Sequence, residues 1–145
     1  MSDTFSLFNH ENHVNLFFQY LNSQYPRIKF SCGTEINNCL QFLDINITRI
    51  QNSFSATIYR KPTHTGLGLK FDSMVDTNYK TYFISCLVGR GYRICSSFDI
   101  VSAQIYFLRK YFCPNSYPVS VFEKYVGLEL NFILTLLMYN CIYFS

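Results

Sequence analysis

Alternating apolar and polar residues predict a small β-sheet in the first half of the chain. The alternation runs through residues 28–32, 43–48 and 54–58, and a period of two is typical of a half-buried strand. Residues 33–38 and 51–53 are polar and supply turns. The short turn at 51–53 predicts that the strands on either side of it pair as an antiparallel hairpin.

Apolar residues at helical spacing predict four helices, at residues 9–25, about 77–95, 98–112 and from about 120 onward. The helix at 98–112 has the most regular stripe: Val101, Ile105, Leu108 and Phe112. A rougher stripe marks the helix before it: Tyr79, Phe83, Cys86, Leu87 and Ile94. The sequence therefore predicts an α+β fold, in which an N-terminal helix and a small antiparallel sheet precede a three-helix, helix-turn-helix-like segment.

Capping residues and breakers set the expected helix ends. The expected N-caps are Asn9, Asp76 or Thr77, Ser96 in a capping box with Asp99, and Ser120 in a capping box with Glu123. Pro26 ends the first helix. Gly89 and Gly91 each cost about 1 kcal/mol relative to alanine inside a helix, so we expect the last turn of the second helix to bend or fray. In the loop at 67–75, Phe71 and Met74 are expected to be packed.

Composition excludes a disordered chain and gives no support for a metal site. Of the 145 residues, 49% are hydrophobic and 14% charged, enough apolar material for one core. The six cysteines form no CxxC pair, which argues against structural zinc and for reduced thiols in the nucleus or cytoplasm. His10 and His13 have HxxH spacing but no second ligand pair nearby, so we interpret them as a solvated first helical turn. No cofactor is expected.

Positive charge concentrates around the end of the last predicted strand. Arg60 and Lys61 follow that strand, and Pro62 cannot donate to a sheet ladder, so the strand should stop there. Residues 63–66 add hydroxyls, an imidazole and free backbone amides. This combination suits a phosphate group; the alternative is a solvated strand end followed by a turn. The net charge of +3 is too mild to decide between them.

Several segments resemble one protein family in the same order along the chain. ATIYRKPTHTG resembles the connector that follows the palm in the reverse transcriptases of Penelope-like retroelements. The other matching segments are MSDTFSLF, YLNSQYPRIKF, QFLDINITR, FDSMVDTNYK, SCLVGRGYRICSS and NSYP. The resemblance covers residues 1 to about 130. It implies a palm remnant at 1–62, a thumb-like helix-turn-helix region at 63–130 and an apolar tail at 131–145.

The resemblance also implies that catalysis is lost. MSDTFSLF matches the hairpin that carries the catalytic Asp pair of such polymerases, and of that pair only Asp3 remains, because Ser2 stands at the first position. Copying needs two or more carboxylates to hold two magnesium ions, so we expect no polymerase activity. Without the resemblance, Asp3 is an ordinary polar residue near the terminus. Asp44 would lie near the primer-holding part of the palm, or is an ordinary exposed sheet residue.

The cations of the middle half are the candidate contacts to a nucleic-acid backbone. They are Arg60, Lys61, His64, Lys80, Arg90, Arg93, Arg109 and Lys110. The last two also suit the negative end of a helix, which is an alternative explanation for them. If the helix at 98–112 instead reads bases as in a helix-turn-helix, its exposed candidates are Ser102, Gln104, Arg109 and Lys110.

Three functions are open at this point. The first is a catalytically inactive, reverse-transcriptase-derived chain that binds nucleic acid weakly through its backbone. The second is a small helix-turn-helix DNA-binding protein. The third is a tail-anchored membrane protein or a structural chain, because residues 126–145 are strongly apolar. Glu129, Asn131 and Asn140 interrupt that run. This favours an apolar helix that lacks a packing partner over a membrane span.

Overall fold

The computed structural model describes residues 3–25 and 27–143, apart from the side chains of Glu11 and of residues 139–143. Its fold is α+β, which confirms the predicted class: one helix and a three-stranded antiparallel sheet are followed by further helices. The elements are α1 (Glu11–Gln24), β1 (Cys39–Phe42), β2 (Ile45–Ile50), β3 (Ser53–Ile58), α2 (Thr77–Ile94), α3 (Phe98–Phe112), a 3-10 turn (Cys113–Asn115) and α4 (Val119–Tyr143).

Helix α1 begins later than expected. His10 occupies the N-cap position and makes no side-chain capping hydrogen bond, so the prediction of Asn9 as the cap is wrong. The helix ends at Gln24, while Pro26, predicted to end it, lies outside the described residues. Its apolar face is only partly covered, since Phe17 is exposed and Phe18 is half-buried.

The predicted strand at 28–32 is wrong. Residues 28–35 form no strand and are exposed. The Phe30 amide donates to the Asn22 side-chain oxygen at 2.9 Å, so a contact to α1 replaces the ladder that a strand would need. An alternating pattern forms a strand only where a neighbouring strand supplies hydrogen bonds. In the described chain, no strand pairs with this segment.

The sheet has the order β1-β2-β3, with all neighbours antiparallel. The hairpin between β2 and β3 confirms the prediction, although its turn is Gln51–Asn52 and Ser53 already belongs to β3. Leu43 and Asp44, predicted to be in a strand, instead form the turn between β1 and β2, and Leu43 has a positive φ of 54°. That turn places the Asp44 side chain at the sheet end nearest the helices.

Strand β1 is missing from the sequence prediction. It follows a tight turn at Asn37 and Asn38, whose φ values of 53° and 60° are left-handed. Asparagine tolerates that conformation, and two such residues in succession suit a hairpin turn. Ile36 and Cys39 exchange backbone hydrogen bonds across it.

Helix α2 is capped as predicted, and part of its predicted stripe is packed, since Phe83 and Leu87 lie against the core. The Asp76 carboxylate accepts a 2.8 Å hydrogen bond from the Asn78 amide. The buried residues of the helix are Lys80, Thr81, Ile84, Val88, Gly89 and Gly91. Tyr79 is 69% exposed and Cys86 is also exposed, so both were wrongly placed on the packed stripe. In the loop before the helix, Phe71 packs on Tyr117 as expected, whereas Met74 is fully exposed, contrary to prediction.

The glycines of α2 do not fray it, so that expectation is wrong. The helix continues to Ile94, and both Gly89 and Gly91 are buried. A Cβ at Gly89 would lie 2.7 Å from the Glu129 carboxylate of α4, and one at Gly91 would lie 3.0 Å from Cγ of Gln104 in α3. The missing side chains therefore let α2 approach both neighbouring helices closely, which offsets the low helix propensity of glycine.

Ser96 and Ser97 make different contacts in the turn between α2 and α3. Ser97 is the N-cap of α3 and accepts from the Ile100 amide, so the predicted cap at Ser96 is off by one residue. Ser96 joins the turn to β3 instead: its amide donates to the Ala56 carbonyl at 3.2 Å, and its hydroxyl accepts from the Ala56 amide at 3.1 Å. These two bonds hold the end of the sheet against the helices.

The hydrophobic core lies among α2, α3 and α4. Its buried members are Ile84, Val88, Leu108, Phe112, Tyr117, Phe122 and Val126. Helix α3 has the predicted bounds, and Val101, Leu108 and Phe112 of its predicted stripe are buried. Among the described residues, no strand residue belongs to this core, so the sheet packs outside the helical core.

Helix α4 begins at Val119, so Ser120 lies inside its first turn and the prediction of Ser120 as the N-cap is wrong. The helix continues without a break into the predicted apolar tail, where Phe132 and Met138 are 60% and 67% exposed. Among the helices that the structure describes, none combines the length and hydrophobicity that crossing a membrane requires.

Candidate nucleic-acid interface

A cleft of about 370 Å³ lies between helices α2 and α3 and the segment that follows β3. We call that segment, residues 59–66, the basic connector. Four of the eight candidate backbone contacts line the cleft: Arg60, Lys61, His64 and Arg90. They come from two distant parts of the sequence, and the fold brings them to one opening.

The connector is held over the helices by backbone hydrogen bonds at the sheet end. Strand β3 ends at Ile58, as Pro62 predicts, and the Tyr59 amide donates to the Asp44 carbonyl at 2.8 Å. Together with the bonds between Ala56 and Ser96, this fixes where Arg60 leaves the sheet. The cations of the connector therefore meet α3 at a defined position.

Arg60 lies flat on α3. Its guanidinium carbon is 3.6 Å from the centroid of the Phe107 ring, and the group donates a hydrogen bond to the side-chain oxygen of Gln104. Burial lowers the pKa of the Arg60 guanidinium, but arginine stays protonated in proteins. Burial also raises the pKa of the neighbouring Cys95 thiol, and the ion pairs found among the described residues do not include Arg60.

His64 and two aromatic side chains extend this stack. The His64 ring lies 5.9 Å from Tyr111 at an interplanar angle of 17°, and Tyr111 lies 6.5 Å from Phe107 at 23°. His64 also lies 6.4 Å from Phe107 at 40°, so the three rings contact one another in one cluster. We call this cluster and the adjacent Arg60 guanidinium the aromatic ladder. His64 itself remains exposed.

Lys61 is the least committed cation of the cleft. It is exposed and begins the turn in which the His64 amide donates to the Lys61 carbonyl at 2.9 Å. The ion pairs found among the described residues do not include it. Its ammonium group is therefore available to an anion at the mouth of the cleft.

Arg90 lines the cleft together with Asp44, whose carboxylate pairs with it. Its guanidinium lies 2.7 Å from the Asp44 carboxylate, and the two side chains are 36% and 66% exposed. Exposed ion pairs are weak, so this one can exchange for a contact to another anion. Of the described residues lining the cleft, Arg60, Lys61 and Arg90 are cationic and Asp44 alone is anionic, which leaves a positive surplus.

The other four candidates do not line this cleft. Lys80 is buried, and its ammonium donates to the Ser73 carbonyl at 2.6 Å. Arg109 pairs with Glu123. The Lys110 ammonium lies 4.5 Å from the centroid of the Tyr106 ring. Arg93 is exposed in the last turn of α2.

The base-reading set of α3 is smaller than predicted. Gln104 is buried beside Gly91 and bound to Arg60, so the prediction that it is exposed is wrong. Ser102, Arg109 and Lys110 are exposed as expected, but Arg109 is occupied by its ion pair. A helix needs several free polar side chains to read base edges, and α3 offers few.

The predicted vestige of the polymerase site lies apart from the cleft. Asp3 is exposed before α1 and does not line the cleft, and Ser2 lies outside the described residues. Across residues 3–25 and 27–143, no three His, Cys, Asp or Glu side chains are grouped so as to hold a metal ion.

Sequence reasoning missed the aromatic residues of α3 that line the cleft, Phe107 and Tyr111, and it gave Gln104 and Asp44, which also line it, other roles. Phe107 and Tyr111 are four residues apart, a spacing that places them side by side on a helix, so an aromatic pair was detectable there. Its contact with the connector was not, because that depends on how the sheet packs.

Compared with known protein families, curated proteins and solved structures, the chain matches none of them.

Proposed function

We propose that this chain binds the phosphate backbone of nucleic acid in the cationic cleft, weakly and without sequence preference, and that it does not copy nucleic acid. The observation that carries the proposal is the convergence of Arg60, Lys61, His64 and Arg90 on one cleft with a single opposing carboxylate. The resemblance of the connector and its flanking segments to a reverse transcriptase motivates the choice of a polymeric phosphate over a small anion.

The cleft provides two kinds of donor for a phosphate. Lys61 supplies a mobile ammonium at the exposed turn, whereas Arg60 supplies a guanidinium whose orientation is fixed by Phe107 and Gln104. Charge-assisted hydrogen bonds to phosphate are the strong ones. A fixed guanidinium loses little entropy on binding, so it complements the flexible lysine.

The lack of sequence preference follows because the main base-reading candidate of α3 is already engaged in a hydrogen bond. The best base-reading residue of α3, Gln104, already accepts a hydrogen bond from Arg60. Contacts to phosphate position a protein on nucleic acid but carry no sequence information directly. The helix-turn-helix alternative is therefore less favoured than backbone binding.

The small number of carboxylates in the segment that resembles the catalytic hairpin supports the absence of copying activity. The segment that resembles the catalytic hairpin keeps one acid, Asp3, and two-metal chemistry needs more than one. A primed template with magnesium and nucleotides tests this, since any extension by the purified chain contradicts it.

Salt titration of binding tests the proposal. Each neutralised phosphate adds a slope of about 0.7 for single strands or about 0.9 for B-form DNA to log K against log salt. Lys61→Ala should lower that slope by about this amount. Lys124→Ala removes an exposed lysine of α4 outside the cleft and is the matched control. Salt-independent binding, or equal slope changes in both variants, would contradict the proposal.

A further inference from the structure

We infer that the cleft accepts an unpaired nucleotide, with its phosphate at the basic connector and its base against the aromatic ladder, and therefore prefers single strands to duplexes. The inference rests on the proposed function and specifies its ligand. It is carried by the size of the cleft, by the apolar and aromatic character of its walls and by the exposed ring of His64.

The size of the cleft fits one small ligand. Pockets for small molecules and cofactors are typically about 300–1,000 Å³, and this cleft of about 370 Å³ is near the lower limit. One nucleotide can enter such a space. A duplex cannot place a base there without unpairing, because its bases are stacked and paired in its interior.

The walls of the cleft combine apolar with charged side chains. Phe83, Leu87 and Leu108 line it together with the ladder residues Phe107 and Tyr111. A site built only for phosphate has no need of these apolar side chains, since phosphate is recognised by charge and hydrogen bonds. A base, in contrast, has an apolar face and polar edges, and such a surface suits it.

The ladder offers a place for the base. His64 is exposed and nearly parallel to Tyr111, so its ring offers a surface on which a base can stack beside the other aromatic side chains. Histidine and other aromatic side chains stack unpaired bases in many single-strand binders. The phosphate donor is adjacent, because Lys61 begins the turn that ends at His64.

The polar lining can meet the rest of a nucleotide. Asp44 lines the same cleft, and its carboxylate accepts hydrogen bonds, which suits amino groups of bases and hydroxyls of sugars. It would repel a phosphate at the same position. The phosphate is therefore expected at Lys61 and Arg60 rather than beside Asp44.

The test compares a labelled single-stranded oligonucleotide with the same sequence in a blunt duplex, at equal low salt, by fluorescence anisotropy. Stacking by one aromatic side chain corresponds to about a fivefold or larger change in affinity. We expect the single strand to bind at least about fivefold tighter, and His64→Ala to weaken single-strand binding more than duplex binding, so that most of that difference is lost. The matched control, His13→Ala, changes an exposed histidine of α1 and should alter neither affinity.

A competition arm separates base from phosphate. Adenosine monophosphate should displace the labelled strand at a lower concentration than inorganic phosphate does, because only the nucleotide offers a base. Equal competition by the two overturns the inference. Equal, salt-dependent binding of single strand and duplex also overturns the inference but leaves the proposed function intact. If neither the single strand nor the duplex shows salt-dependent binding, the inference and the proposed function are both overturned.

Discussion

The guanidinium of Arg60 stacks on the Phe107 ring, with 3.6 Å between the guanidinium carbon and the ring centroid. The same guanidinium donates to the buried Gln104 side chain of α3. One cation of the connector is thus a structural link to the helices, while its neighbour Lys61 is exposed. The two residues are adjacent in sequence but should respond differently to mutation.

Arg60→Ala should lower the free energy of unfolding by about 1–2 kcal/mol, because it removes a cation–π contact and leaves a buried amide oxygen without its donor. Lys61→Ala should change it by less than about 0.5 kcal/mol, as expected at an exposed position. Urea denaturation of both variants measures the difference. A loss of less than about 0.5 kcal/mol in Arg60→Ala, as expected of an exposed residue, would contradict a structural role for Arg60.

Gly91→Ala should destabilise the protein by about 1–2 kcal/mol, even though alanine has the higher helix propensity by about 1 kcal/mol. The added Cβ would lie 3.0 Å from Cγ of Gln104, and the hydrogen bond to Arg60 restrains that side chain. Gly127→Ala is the matched control in α4, since no heavy atom lies within 4 Å of its added Cβ. It should stabilise by about 0.5–1 kcal/mol; stabilisation by both would contradict the close packing of α2 on α3.

Asn115→Ala should destabilise by about 2–4 kcal/mol, because three hydrogen bonds are lost at a buried position. The Asn115 amide donates to the Gly66 and Tyr111 carbonyls at 2.9 and 2.7 Å, and its oxygen accepts from the Gly68 amide at 3.1 Å. Asn115 thus ties the end of the basic connector to the core. Thermal unfolding of Asn115→Ala beside the exposed control Asn131→Ala tests this, and equal melting temperatures would refute it.

Tyr117→Phe should leave stability near neutral pH unchanged or raise it by up to about 1 kcal/mol. The Tyr117 hydroxyl is buried and has no hydrogen-bond partner in the described part of the chain, so the variant removes a polar group that gains nothing from folding. Tyr79→Phe, at a side chain 69% exposed, is the control. A marked loss of stability in Tyr117→Phe would reveal a partner for that hydroxyl.

The same variant should also alter the alkaline pH dependence. Burial raises the pKa of the Tyr117 hydroxyl, and Tyr111 adds to the shift. The folded chain therefore keeps a proton that the unfolded chain releases above about pH 10. Wild-type stability should fall as the pH rises through that range, and Tyr117→Phe should fall less steeply in urea denaturation at pH 9 to 11. Identical slopes would contradict the shift.

Sequence patterns predicted the elements whose form depends on local interactions. Helix α3 has the predicted bounds because its apolar stripe is regular, and the hairpin of β2 and β3 follows from its polar turn. The strand predicted at 28–32 failed because alternation does not supply a neighbouring strand. Local signals placed the helix starts less well, since Asn9, Ser96 and Ser120 were each predicted as N-caps and none of them is one.

The faces and contacts of these elements were harder to predict. Helix α2 buries Gly89 and Gly91 because two other helices approach it there, and no local propensity encodes that approach. Half of the candidate cations converge on the cleft, but Lys80 is buried against the Ser73 carbonyl. Charge in a sequence identifies candidates, whereas their availability depends on tertiary packing.

The charge of the cleft can be changed in both directions with little effect on the fold. Asp44→Asn removes the carboxylate that pairs with Arg90, and exposed pairs of this kind contribute only about 0–1 kcal/mol. The variant should therefore remain folded and present one more uncompensated cation. Lys61→Ala removes one cation from the same surface.

Measuring the dissociation constants of these two variants and the wild type for one blunt DNA duplex, whose paired bases leave only its backbone to contact the cleft, at a low and a higher salt concentration, tests the central claim most directly. We predict that Asp44→Asn binds more tightly than wild type and Lys61→Ala more weakly, with the differences shrinking as salt rises. Three equal constants, or the reverse order, would contradict phosphate binding in this cleft.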